Sequence, residues 1–160
     1  MPDKVKAIPE GFHTITAHIT VRDAARAIDF YQKAFGAEVV HISHGPDGKV
    51  THASLKIGDS ILMLNDEFPE WGTLSPLSTG GTGVTLNMYL DNVDAAFGRA
   101  VSAGATVKMP LMDQFWGDRY GQVMDPFGHK WALAAHIRDM SEEEIRKAQE
   151  AALASMPKSA

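Results

Sequence analysis

The chain has 160 residues, 22% of them charged, with a formal net charge of −5 and no basic run. That length buries a real core, and the charge excludes nucleic acid as the expected partner. There is no cysteine, so disulfides, thiolate metal sites and thiol nucleophiles are excluded.

Met1–Glu10 carries Pro2, Asp3 and Pro9 where a signal peptide would be apolar. No stretch approaches the roughly 20 apolar residues that span a bilayer. A cytoplasmic protein without a membrane partner is expected. The first predicted strand, Ile15–Val21, sets Ile15, Ala17, Ile19 and Val21 against Thr14, Thr16, His18 and Thr20. The apolar side is expected on helices and the polar side in a cup. A helix follows, with Ala24, Ala27, Ile28, Tyr31 and Phe35 on one stripe, Asp23 as cap and Gly36 as stop. Gly45-Pro46-Asp47-Gly48 predicts a hairpin. In the strand Val50–Ile57 the residues Ala53, Leu55 and Ile57 oppose His52, Ser54 and Lys56, and the turn Gly58-Asp59 leads to a strand from Ser60 to Asn65.

Residues 69–83, containing Trp71-Gly72, Pro76 and Gly80-Gly81, read as a linker and as the expected mobile segment. Beyond it, Val84, Leu86, Met88 and Leu90 oppose Thr85, Asn87 and Tyr89 in a strand. The next helix carries Val93, Ala96, Phe97, Ala100 and Val101, with Asp91 or Asn92 as cap and Gly104 as stop. The last strand sets Trp131, Leu133 and Ala135 against Ala132, Ala134 and His136. Ser141-Glu142-Glu143-Glu144 is a capping box opening a helix within 139–155, expected as a packing or dimer-covering appendage.

The chain states one pattern twice. Val21–Phe35 leads to Gly36-Ala37, and about 68 residues later Leu90–Phe97 leads to Gly104-Ala105. The expected fold class is α+β: two repeated βαβββ modules forming a cupped mixed sheet, plus a C-terminal helix. The expected division is a single domain over 1–160, with modules at 12–68 and 84–136.

Val21–Ala37 resembles the first-helix signature of the vicinal oxygen chelate superfamily, which includes glyoxalase I, bleomycin-resistance proteins, fosfomycin-resistance enzymes and extradiol dioxygenases. Asp125-Pro126-Phe127-Gly128-His129 resembles that superfamily's turn before the final strand, and Phe115–Arg119 is similar to a segment of its PhnB-like subgroup. The resemblance covers roughly Phe12 to His136. It implies a homodimer, with Trp71 and the linker near the interface, and a metal held from the first and last strand of each module. At those positions this chain has Thr16, Thr85 and Ala132, and the last strand of the first module offers no carboxylate before Asp66. Thr, Thr and Ala are not a donor set for a hard divalent ion, so no metal and no cofactor are expected.

The candidate ligand-binding residues are His18, His52, Asn87, Phe115, Trp116 and Arg119. His18 and His52 share the cup face with Asn87, where they can hydrogen-bond a ligand, act as acid and base, or with a carboxylate hold zinc or iron. They can equally be hydrogen-bonded wall residues. Phe115 and Trp116 are expected as a stacking face, whereas Asp118 and Arg119 read either as a turn brace or as a charged ligand contact. Two function classes follow. One is a binding protein for a small organic molecule without the usual metal set. The alternative is a glyoxalase-like lyase, isomerase or dioxygenase using His18 or His52, with a non-standard metal or none.

Overall fold

A computed structural model of the protein describes residues 4–158, so the first three residues of the Met1–Glu10 segment lie outside it. The first βαβββ unit comprises β1 (Ala17–Val21), α1 (Ala24–Phe35), β2 (Glu38–His44), β3 (Val50–Ile57) and β4 (Ser60–Asp66). A 3-10 turn at Pro69–Trp71 and the short α2 (Pro76–Thr79) occupy the connection. The second unit repeats the order as β5 (Thr85–Tyr89), α3 (Val93–Ala103), β6 (Thr106–Asp113), β7 (Asp118–Met124) and β8 (Lys130–His136), followed by α4 (Glu142–Ala154).

Each unit forms its own four-stranded mixed sheet, ordered β1-β4-β3-β2 and β5-β8-β7-β6. β1 runs parallel to β4 with Ala17 opposite Leu62, and β5 runs parallel to β8 with Leu86 opposite Trp131. The duplication seen in the sequence is thus a duplication of register.

β1 is shorter than the alternation predicts. Ile15 is 90% exposed instead of joining the sheet. The chain turns there, because the Thr16 hydroxyl donates to the His13 carbonyl at 3.1 Å, a local bond that competes with strand pairing. β4 in turn extends one residue further, to Asp66. The Asp66 carboxylate accepts from Ala24 N and Val50 N, both at 2.8 Å, tying the start of α1 to β3.

α1 buries more than its predicted stripe. Phe30 is buried beside Tyr31, and its ring meets Phe127 of the second unit with centroids 6.1 Å apart. The reason is that α1 covers its own sheet and also reaches the other unit, where Phe35 lies 4.6 Å from Trp131. Arg99 of α3 donates to the carbonyls of Lys33 and Gln32 at 2.7 and 3.3 Å, capping the end of α1. His129 Nε2 donates to Thr20 O at 2.8 Å across the same join. The capping box at Ser141 and Glu144 forms as predicted, and none of the α4 residues is buried. No described helix is long and apolar enough to cross a membrane.

Candidate functional site

Strand alternation decides which side chains leave the core. Ile19, Val21, Leu62 and Leu64 are buried, which turns His18 and Thr20 of β1 and Met63 and Asn65 of β4 to the opposite face. Register then aligns Ser54 with Met63, and His52 with Ser43. The His18 and His52 rings meet edge to face at 5.7 Å, and His41 lies 6.4 Å from His52. Burial, and then the neighbouring His18 and His41, hold the His52 imidazole below its ordinary range, favouring its neutral form. His18 Nε2 lies 2.7 Å from Asn65 Oδ1, and His52 Nε2 lies 3.1 Å from Ser54 Oγ.

The rim of this face is built by the connection. Phe68 and Thr73 exchange backbone hydrogen bonds of 2.9 and 3.1 Å, closing a tight loop that projects Trp71. The Trp71 ring stacks on Phe68 at 4.9 Å and remains 72% exposed. Lys49 Nζ sits 5.1 Å from the Phe68 ring centroid and donates to the Glu67 carbonyl. His18, Asn65, Phe68 and Trp71, with Thr20, Thr51 and Thr73, line one open cleft of about 510 Å³.

The second unit carries a different constellation. Asp118 is only 4% exposed; its Oδ2 accepts from the Tyr89 hydroxyl at 2.8 Å and the Trp116 indole at 3.1 Å. Its Oδ1 lies 2.8 Å from His136 Nδ1, and His136 Nε2 lies 2.8 Å from Asp139. Burial pushes the Asp118 carboxyl up, but the bonds from His136, Tyr89 and Trp116 outweigh it and hold it below the usual range. Both carboxylates push the His136 imidazole up, Asp118 first.

Among the six candidate residues, the structure brings together His18 and His52, and separately Phe115 and Trp116, whose rings meet at 5.0 Å. Trp116 also meets Tyr120 at 5.5 Å. Asn87 lies elsewhere, in a cleft of about 650 Å³ between the two units lined largely by apolar side chains such as Phe35, Leu86 and Met88. Arg119 is committed to a brace: it grips Asp94 through Nε and Nη2 at 2.9 and 2.7 Å, and Asp113 through Nη1 at 2.9 Å. The structure adds Asn65 and Trp71, which are not among the expected site residues. Alternation from Leu62 and Leu64 places Asn65 on the His18 face, whereas Trp71 carries no signal beyond an aromatic in a Gly-Pro loop.

The metal positions implied by the resemblance do not fit a metal. Thr16 is engaged with His13, Thr85 is exposed, and Ala132 is a buried methyl without a donor atom. Among the described residues no group of three or more His, Asp or Glu side chains is placed to hold a metal ion.

Comparison with known proteins agrees with this architecture. A sequence profile of the Glyoxalase/Bleomycin resistance protein/Dioxygenase superfamily matches residues 11–133. The uncharacterized protein Rv0887c of Mycobacterium tuberculosis is 49% identical over 137 residues, covering 84% of this chain and 81% of its own. The crystal structure of TioX from Micromonospora sp. ML1 superposes with a TM-score of 0.61 at 27% identity, covering 78% of this chain and 99% of that one. A PhnB protein from Bacillus cereus shares the fold, with a TM-score of 0.57 at 22% identity over 77% of this chain and 99% of that one. The chain belongs to the Glyoxalase/Bleomycin resistance protein/Dioxygenase superfamily.

Proposed function

We propose that this protein binds a small organic molecule on the polar face of its first unit, without the metal set usual in its superfamily. The observation that carries the reading is the cleft of about 510 Å³, whose lining includes exposed Trp71, His18 and Asn65. A cleft of several hundred Å³ with an aromatic wall and a few convergent polar groups has the size and chemistry of a small-molecule site. Phe115, Trp116 and Arg119 then brace the second unit, and Asn87 lines the separate cleft between the units. The test is a fragment screen monitored by the imidazole resonances of His18 and His52, which must move with at least one ligand.

One observation favours a second reading, a glyoxalase-like lyase, isomerase or dioxygenase. His52 is biased towards its neutral form and touches His18, an arrangement suited to proton transfer. Metal analysis of protein purified without chelator separates the two. Stoichiometric zinc, nickel, manganese or iron would move the assignment to the enzyme class.

The reading includes a homodimer in the cytoplasm, paired through outer strands and not through Trp71 and the linker as first expected, because the ligand cleft takes up Trp71. Val40 and Val107, on the outer strands β2 and β6, are exposed, and outer strands favour pairing partners. A monomeric mass by light scattering at micromolar concentration would refute the dimer.

A further inference from the structure

The hydrogen bonds of Asn65 fix the protonation pattern of His18. Asn65 Nδ2 donates to the Asp66 carbonyl oxygen at 2.8 Å and faces Thr20 Oγ1 at 3.4 Å. A backbone carbonyl can only accept, so the amide nitrogen must lie on that side. The atom facing His18 Nε2 at 2.7 Å is therefore the amide oxygen, which has no proton to give. Nε2 carries the hydrogen, and a neutral His18 keeps Nδ1 as a bare lone pair. Among the described residues no hydrogen bond reaches Nδ1, and His18 is exposed along the cleft.

That lone pair selects ligands by hydrogen-bonding type. A carbonyl, ether or carboxylate oxygen would set lone pair against lone pair at Nδ1. A hydroxyl or ring N–H would instead complete the imidazole. Charge points the same way. Lys49, a cation at the rim, donates to the Glu67 carbonyl and lies over Phe68, so it is not poised as an anion receptor. The other half of the cleft asks for a flat ring. Trp71 is backed by Phe68, which holds the indole as a supported stacking surface, and the remaining side chains that line the cleft with His18 are short and polar, Thr20, Thr51, Thr73 and Asn65.

Building on the binding reading above, we infer that the cleft takes a planar aromatic molecule bearing a hydroxyl or ring N–H. The ring lies on Trp71, and the donor is given to His18 Nδ1. This goes further than a small organic ligand, because it fixes the ligand's shape and the direction of its hydrogen bond.

The experiment titrates the full chain with 2-naphthol and with 2-methoxynaphthalene, which keeps the ring but has no donor. Losing the hydrogen bond to a neutral acceptor is expected to cost about tenfold in affinity, so 2-naphthol binds about tenfold more tightly. His18→Phe abolishes that preference, and Trp71→Ala weakens both ligands about tenfold or more. Imidazole nitrogen correlation spectra need no variant. They place the His18 proton on Nε2 and show the Nδ1 resonance moving on addition of 2-naphthol. Equal affinities with moved His18 and His52 resonances would overturn the inference and leave the binding reading standing. A proton on Nδ1 in the neutral free protein would also overturn it. His18 and His52 resonances that move with neither compound, nor with any member of the fragment screen, would remove both.

Discussion

The Tyr31 hydroxyl donates to Asp125 Oδ2 at 2.6 Å, joining the helix of the first unit to the final turn of the second. Asp125 also accepts from the Trp131 indole and from the backbone N–H groups of Phe127 and His129, each at 2.9 Å. The Asp-Pro-Phe-Gly-His turn is therefore held by one buried carboxylate. Burial, reinforced by Asp125, raises the Tyr31 hydroxyl well above the ordinary tyrosine range, so it stays a donor.

Asp125→Ala leaves those donors without their acceptor and is expected to destabilise the protein by roughly 3 kcal/mol or more. Tyr31→Phe removes one donor and strands part of the carboxylate, at about 1–3 kcal/mol. Denaturant unfolding checks both. Losses below 0.5 kcal/mol would mean that the join rests on ring packing alone.

Arg99 gives a smaller effect by a different mechanism. It is exposed and acts on the last carbonyls of α1, so Arg99→Met, which keeps the aliphatic stem, is expected to cost about 0.3–1 kcal/mol. High salt should shrink that difference, and its persistence at 1 M salt would point to packing in place of charge.

The His136 bridge predicts a pH dependence. The folded-state value is raised above the ordinary histidine range, so the bridge stabilises fully below about pH 6.5. That contribution is lost as pH rises through the raised value, when one nitrogen stops donating. The adjoining N–H groups of Ile137 and Arg138 both donate to Gly117 O, at 2.9 and 3.0 Å. Their hydrogen exchange, corrected for intrinsic pH effects, should quicken through this window. His136→Gln should remove the dependence, and a flat profile in the unaltered protein would refute it.

Divalent metal provides another check on the first unit. Saturating zinc or manganese is expected to shift Tm little. A site filled at 100 times its Kd would stabilise by about 2.7 kcal/mol, which is visible in a protein of this size. A large shift that His18→Ala abolishes would show that the imidazoles hold a metal.

Much of the architecture was legible in the sequence because its signals are local. Asp23 and Gly36 bracket α1, Asn92 and Gly104 bracket α3, and alternation along β1 and β8 assigns each side chain to a face. The site was less legible because its parts meet only after folding. His18 and Asn65 are brought together by the parallel pairing of β1 and β4, while the position of Trp71 depends on a loop closed by Phe68 and Thr73. Asn87 shows the limit of reasoning by repeat. It matches His18 in the pattern of the two units, but the cleft it lines is another one, because equivalent strands meet different surroundings. Arg119 was ambiguous as sequence, since its partners Asp94 and Asp113 come from separate elements.

Among the described residues no strand of one sheet pairs with a strand of the other, and side-chain bonds such as Tyr31 to Asp125 and His129 to Thr20 carry the join. A change on one polar face therefore meets no hydrogen-bonded ladder that would pass it to the other. Each half of the duplication can drift in its own direction while the pair still assembles. Here one half displays imidazoles and the other a buried carboxylate held by phenol, indole and imidazole. The consequence is evolutionary: an ancestral symmetric pair can become two unlike surfaces without redesign of the fold that carries them.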